Sequence, residues 1–360
     1  MTRIRHHTFT DAAIERNKQK NEIDLSSKGV SLRYSIVKIL CLMSTAILLQ
    51  TNALRGMPPD TLKVIQLSDT HICNLTGYHP AFVRARAHYG DGARALAVFL
   101  STAPVRRDAD IVVITGDLID YFEAETAAGD WLATQVEQFA PLYFECPVTL
   151  HLVLGNHDIA SYWIEEPDEK ESFQINVNRA RAAWIRNIPS FRYGTYYSRD
   201  YAVGETSYRF LFLDNGYSLK DGSVLDPHQL DWLAHELENA AENPVVIFMH
   251  KYLRVPDLDG DGRYFAASNT VTIDSIRCST GFYRLLNEYQ NIKLLLVGHG
   301  HKNITETIYF PSGNRVVQTE TAAFAADPAN WRMINFAKDA IQISPCGADR
   351  EKTVIKIRNE

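Results

Sequence analysis

Five short clusters along the chain carry side chains that bind metal ions: Asp69-Thr70-His71, Gly116-Asp117, Gly155-Asn156-His157-Asp158, the single His250, and Gly298-His299-Gly300-His301. Asp69, His71, Asp117, Asn156, His250, His299 and His301 offer oxygen and nitrogen donors and no thiolate. Such a set suits Mn, Fe, Zn or similar divalent ions. Asp69 and His71 lie two residues apart, as do His299 and His301, so in extended chain each pair shares a face. Seven donors are too many for one tetrahedral ion and suit two ions sharing a carboxylate. Two ions roughly 3.5–4 Å apart clamp a phosphoryl group and make a bound hydroxide nucleophilic at neutral pH.

Singly, the clusters are weak. Gly-Asp is a common turn, Asp-x-His occurs in many loops, and His250 alone reads as readily as a core histidine. Their setting changes the reading. The apolar runs 62–67, 111–115, 148–154, 245–249 and 292–297 each end where a cluster begins, and 111–115 has the continuous apolarity of a strand buried on both faces. In open α/β sheets, ligands bind in the crevice at the carboxyl ends of the strands. Helical patterns are expected near 123–139, 172–187, 227–241 and 275–289, with Asp226-Pro227 as a capped start. Residues 195–214 and 303–343 read as further strands, with Ser312-Gly313-Asn314 as a turn.

Composition argues against a nucleic-acid partner. The net charge of −6 over 360 residues shows no basic footprint of the kind that phosphate-driven affinity requires. Residues 1–34 are polar and read as a disordered head. Residues 35–53 hold the apolar run Ile39–Leu49, too short to span a bilayer and suited to a signal-peptide core, with Thr51 and Ala53 as small residues before a cleavage point. Export to the periplasm or outside is therefore expected, with a membrane anchor or a packed soluble helix as alternatives. The domain is expected over 60–345, with 346–360 as a tail. Cys73, Cys146, Cys278 and Cys346 form no C-x-x-C pair and read as buried thiols or, in an exported protein, as disulfide partners.

The ordered set Asp-x-His, Gly-Asp, Gly-Asn-His-Asp, a strand-terminal His and Gly-His-x-His resembles the calcineurin-like metallophosphoesterase superfamily. The resemblance implies a four-layer α-β-β-α sandwich of two packed mixed sheets with flanking helices. It implies that Asp69, His71 and His301 bind one ion, that Asn156, His250 and His299 bind a second, and that Asp117 bridges. It further implies that His157 is the general acid, with Asp158 holding its ring by a hydrogen bond. The activity implied is hydrolysis of a small-molecule or lipid phosphoester, diester or monoester. Departures narrow the branch. Tyr121 stands where the Ser/Thr protein phosphatases carry Arg, Asp120 where purple acid phosphatases carry a tyrosine ligand, and His157 where the lipid A precursor hydrolases carry Arg. What remains resembles the phosphodiesterase group. A DNA-repair-type nuclease and a catalytically silent scaffold are the rival readings.

Asp257-Leu-Asp259-Gly-Asp261-Gly262 resembles the start of a calcium loop, but Ser268 stands where a bidentate Glu is needed, which favours a polar loop. His79, Arg84, Arg86 and His88 read as a solvated loop within 72–95, with phosphate contact as the alternative. His151, His228 and His235 read as structural. If the export reading holds, the mature chain begins near residue 54, as N-terminal sequencing of native protein would show. An intact Met1 in a soluble cytosolic fraction would reject it.

Overall fold

Every residue of Ile111–Thr115 is buried, as a strand covered on both faces must be. It lies in a six-stranded sheet. Thr61–Leu67, Ile111–Thr115 and Thr149–Val153 run parallel, and Arg332–Ala337, Ala340–Ile343 and Thr353–Lys356 extend the sheet antiparallel beyond Thr61–Leu67. A seven-stranded sheet has a parallel centre of Thr206–Phe212, Val245–Phe248, Ile292–Val297 and Arg315–Glu320. The computed structural model describes residues 59–217, 225–256, 263–274, 276–346 and 352–357, all within the unit Pro59–Glu360. The apolar segment read as an export signal or anchor, and the acidic loop 257–262, lie outside the described residues. Among the described residues no helix is long and apolar enough to cross a membrane.

Alternation along the second sheet sets the layers. Phe210, Phe212, Val246, Phe248, Leu294 and Leu296 join the core shared with the first sheet. Leu211, Val245, Ile247 and Leu295 face the other way, toward Leu233 and Leu237 of helix Pro227–Ala240 and Phe282 and Leu286 of helix Thr280–Glu288. Helices Gly92–Arg107, Gln135–Glu145 and Val177–Asn187 pack on the first sheet through Leu96, Leu100, Phe139 and Trp184. The expected α/β sandwich of two packed mixed sheets with flanking helices is the observed fold.

Several boundaries differ from expectation. Glu123–Glu125 and Trp131–Leu132 are strands, and the helix begins only at Gln135. Lys170–Ile175 is a strand preceding helix Val177–Asn187. These strands join Ala160–Glu165 in a separate four-stranded sheet, where Tyr162, Trp163 and Phe173 fit a pleated, half-covered surface better than a helix. The stretch 72–95, read as loop, carries helix Pro80–Arg86 and the start of Gly92–Arg107. The helix expected from 275 starts at Thr280, capped by Ser279, because Ile276–Arg277 pairs with Thr272–Ile273 as a hairpin. The tail segment Thr353–Lys356 pairs as an edge strand of the first sheet. Asp226 caps Pro227–Ala240 as expected, accepting from the Gln229 amide. Cys73, Cys146, Cys278 and Cys346 are thiols.

A buried polar chain joins the two sheets below the strand ends. Gln66 of the first sheet donates to the Thr115 hydroxyl at 2.7 Å and accepts from Thr321, just past Arg315–Glu320, at 2.5 Å. Arg332 donates to the same threonine at 3.1 Å and to the Glu320 carbonyl at 3.2 Å. Leaving a buried donor or acceptor unpaired costs about 1–3 kcal/mol. Gln66→Ala is therefore expected to destabilise by a few such increments and to lower the urea midpoint clearly. An unchanged midpoint would show that the two sheets are held without this chain.

Candidate metal centre

The clusters converge where the parallel strands of both sheets end. Asp69, His71, Asp117, His299 and His301 all have positive φ, between 40° and 75°. Side chains other than glycine rarely adopt this conformation, and it costs about 1–3 kcal/mol at each residue where it is strained. It turns each chain sharply enough off its strand to aim two side chains of one segment into one crevice. Glycine does the complementary work by absence of bulk. A Cβ on Gly298 would stand 1.8 Å from Ser68 Oγ and 2.4 Å from Asp69 Oδ2, and one on Gly155 would stand 2.2 Å from Asp117 Oδ1.

Two groups of donors result. In one, His301 Nε2 lies 3.2 Å and His71 Nε2 3.8 Å from Asp69 Oδ1, and the two ring nitrogens lie 3.3 Å apart. In the other, His250 Nε2 lies 3.1 Å from Asp117 Oδ2 and 3.1 Å from Asn156 Oδ1, with His299 alongside at a ring-centroid separation of 5.0 Å from His250. Asp117 Oδ2 also lies 3.7 Å from His71 Nε2, so one carboxylate oxygen stands between the groups. Asp69, His71 and His301 form one set with metal-ligand spacing, and Asp117, His250 and His299 another. Carboxylate oxygens facing imidazole nitrogens, with two of those nitrogens edge to edge, fit divalent ions.

Hydrogen bonds fix which ring nitrogen is free. The Thr115 carbonyl at 2.9 Å takes the Nδ1 proton of His250, and the Asp120 carboxylate at 3.2 Å takes that of His71. In both rings Nε2 is left facing the crevice. Asn215 clamps the loop behind His250, accepting from the amides of His250 and Lys251 and donating to the Lys251 carbonyl.

Electrostatics follow from burial. Asp69 and Asp117 are 0% and 2% exposed. Burial pushes both carboxyls up, but the hydrogen bond from His301 and the charges of His250 and His71 outweigh it at Asp69. At Asp117 the charges of His250, His157 and His71 do the same, and its pKa falls well below the ordinary carboxylate value. In return His250, which burial alone would hold neutral, is pushed up to about 9, chiefly by Asp117.

His157 stands beside the crevice, its amide donating to Asp117 Oδ1 at 2.9 Å. Its Nδ1 donates to the Asp120 carbonyl at 2.8 Å and lies 3.4 Å from the Asp120 carboxylate, so Nε2 is the free nitrogen. Burial lowers its pKa, and the nearby Asp117 and Asp120 charges override that and raise it to about 10. The expected hydrogen bond from Asp158 to this ring is absent. The Asp158 carboxylate turns inward and accepts from the amides of Gly155 at 2.7 Å and Ile119 at 3.0 Å. The group is fully buried, which with the Asp117 charge pushes its pKa up to about 8, and its two oxygens are taken by these two backbone amides. Asp120 is thus the residue that the motif reading left without a role, and its signal was its place three residues after Asp117.

The basic residues of 79–88 have partners outside the two donor groups. Arg86 Nε lies 3.2 Å from Asp120 Oδ2 while its Nη2 pairs with Glu171, and its guanidinium sits over the rings of Phe82 and Tyr162. Arg84 pairs with Glu169 on the surface, and His79 caps Pro80–Arg86. His88 packs on Tyr89, which stacks on His71 at 5.1 Å. His151 is a core histidine bonded to Tyr201, and His228 and His235 lie on Pro227–Ala240.

Comparison with known proteins gives the family. The calcineurin-like phosphoesterase profile matches residues 62–303. A probable cyclic nucleotide phosphodiesterase of Moraxella catarrhalis (strain BBH18) is 21% identical over 292 residues, 78% of this chain and 90% of that protein. The crystal structure of a dimetal phosphatase from Danio rerio superposes with a TM-score of 0.53 at 15% identity, over 83% of this chain and all of the other, a likeness of fold.

A cation taking the place of the His250 Nε2 proton must displace it. Below about pH 9 the ring holds that proton, so binding should release it, and apparent affinity should rise with pH and level off above about 9. Proton release on titrating Mn into metal-stripped protein at pH 6.5, 7.5 and 9.5 checks this. Equal affinity and no release at all three would mean that His250 does not take the ion through this nitrogen.

Proposed function

The chain belongs to the calcineurin-like phosphoesterase family and is a metal-dependent phosphoester hydrolase, and from that premise we propose that it holds two divalent ions and hydrolyses small phosphodiesters, with His157 as general acid. The observation that carries this reading is the position of Asp117 Oδ2 between the two donor groups, 3.1 Å from His250 Nε2 and 3.7 Å from His71 Nε2. In this reading Asp69, His71 and His301 would hold one ion, Asn156, His250 and His299 the other, and Asp117 would serve both. When bound, such ions neutralise phosphoryl oxygens and make water nucleophilic at neutral pH.

The remaining roles fall to the chain. His157 keeps its Nδ1 proton on the Asp120 carbonyl and presents a protonated Nε2 to the leaving oxygen. The raised pKa keeps that proton available at neutral pH, and cations on Asp117 would relieve part of the pull and bring the ring nearer to the range where a proton is both held and given up. Asp120 takes the Nδ1 proton of this ring on its carbonyl and that of His71 on its carboxylate, which makes it the positioning residue in place of Asp158. The similarity to the Moraxella catarrhalis protein supports a diester, and cyclic nucleotides are the first class to assay.

General-acid catalysis is worth about 10²–10⁴-fold and matters most for poor leaving groups. With Mn in excess, His157→Ala is expected to lose about that factor in kcat/KM on alkyl phosphodiesters and little on bis(p-nitrophenyl) phosphate, with both ions retained. Asp120→Asn should show the same selectivity more mildly. Asp158→Asn should lower stability without it, because its carboxylate holds backbone amides. Uniform loss across leaving groups in His157→Ala, or selectivity in Asp158→Asn alone, would overturn the assignment.

A further inference from the structure

Asp274 lies outside every motif, yet it touches the centre. Thr272–Ile273 and Ile276–Arg277 pair as a hairpin, and Asp274 follows the first of these strands at φ 49°. The hairpin is fastened to the segment that follows His250. Arg254 and Thr272 exchange backbone hydrogen bonds at 2.8 and 3.0 Å, and Val271 and Ile273 are buried in the second core. Its tip therefore arrives at a fixed place.

There the Asp274 carboxylate divides its oxygens. Oδ1 lies 2.5 Å from His299 Nε2, and Oδ2 lies 2.5 Å from the Nζ of Lys251. Lys251 is itself 6% exposed and directly follows His250. The carboxylate bond takes up Nε2 of His299 and leaves Nδ1 as the nitrogen available to an ion. This is the arrangement in which a carboxylate fixes the tautomer and orientation of a metal-binding imidazole and raises its basicity.

We propose that Asp274 is a positioning residue for the second ion: anchored by Lys251, it holds His299 with Nδ1 turned toward Asp117 and His250. The inference rests on the two-ion reading and adds a residue to it. His71 has Asp120 and His250 has the Thr115 carbonyl in the same relation, so each of these imidazoles has its own oxygen partner. Only the partner of His299 comes from the 271–277 hairpin, and the ammonium of Lys251 couples that hairpin to the loop bearing His250.

The test is metal binding, read apart from turnover. Equilibrium dialysis of full-length protein against Mn, with metal analysis, gives the number of ions and the affinity of each, and Co(II)-substituted protein gives the absorption of each site. Wild type should hold two ions. Asp274→Ala and the isosteric Asp274→Asn should weaken one of them about 10- to 100-fold and change one set of Co(II) bands, leaving the other ion as in wild type. Asp274→Glu should restore part of the loss. Lys251→Met should weaken the same ion, less severely. Thermal unfolding of the Asn variant near the wild-type temperature would exclude a folding defect as the cause. Two ions held at wild-type affinities in both Asp274→Ala and Asp274→Asn would overturn the role of Asp274 and leave the two-ion reading standing. A wild type that binds fewer than two ions would overturn both.

Discussion

Two carboxylates, those of Asp69 and Asp117, sit where the sheets meet with almost no exposure. The groups that answer their charge are imidazoles. A buried charge that is not paired is costly, and a half-satisfied buried group is worse than an apolar one. The protein accepts that cost at a place where a multiply charged cation would offset it. The rest of the centre follows from this constraint. Histidines must approach from both sheets, so both sheets must end at the same crevice with their parallel strands running outward. The oxygen partners behind the rings must be fixed, because a ring turned over would present a proton where a lone pair is required.

The backbone is strained in service of the same end. Asp69, His71, Asp117, His299 and His301 would each be easier to build in extended conformation, and five left-handed residues within one crevice are a local loss of stability that the two-sheet core must carry. Glycine alone cannot do this work, because the turning positions are the ligating positions. Glycine instead takes the places where a side chain would collide with a carboxylate. The Gln66–Thr115–Thr321–Arg332 chain lies directly beneath. Since the Thr115 carbonyl also holds the His250 ring, the same strand end serves sheet pairing and tautomer selection.

The five strands before the clusters were legible because largely apolar runs of five to seven residues admit few other structures, and the clusters because metal-binding residue types at strand ends seldom serve packing. What was not legible had no local signature. Glu123–Glu125 is a strand through its pairing with Ala160–Glu165, a contact that a window along the chain cannot see. Helix Gly92–Arg107 buries Leu96, Phe99 and Leu100 but also exposes Val98 and Val105, so its apolar residues do not mark one face. The contact between Asp158 and the His157 ring is one that the family resemblance implies. The Asp158 side chain is claimed instead by the amides of its own loop and of Ile119. Asp274 could be found only in three dimensions, since the residue it serves lies 25 positions further on.

Asp120 shows how the less legible elements bear on the chemistry. Its carboxylate lies 3.2 Å from Nδ1 of His71 and 3.4 Å from Nδ1 of His157, whose proton its own carbonyl accepts, so a single residue orients a ring on the donor side and the ring proposed as the acid. Burial would push that carboxyl toward neutrality, and the hydrogen bonds of the two histidines together with the Arg86 charge hold it ionised. Arg86 is in turn located by Glu171 and by the faces of Phe82 and Tyr162. Glu171 and Tyr162 belong to the four-stranded sheet, and Phe82 belongs to helix Pro80–Arg86. The elements that sequence patterning misplaced are therefore the ones that reach the acid from behind. A shift of Lys170–Ile175 would move Glu171, release Arg86 and weaken the charge that keeps Asp120 ionised. The negative charge that faces the His157 ring thus depends on a sheet that carries none of the proposed metal ligands.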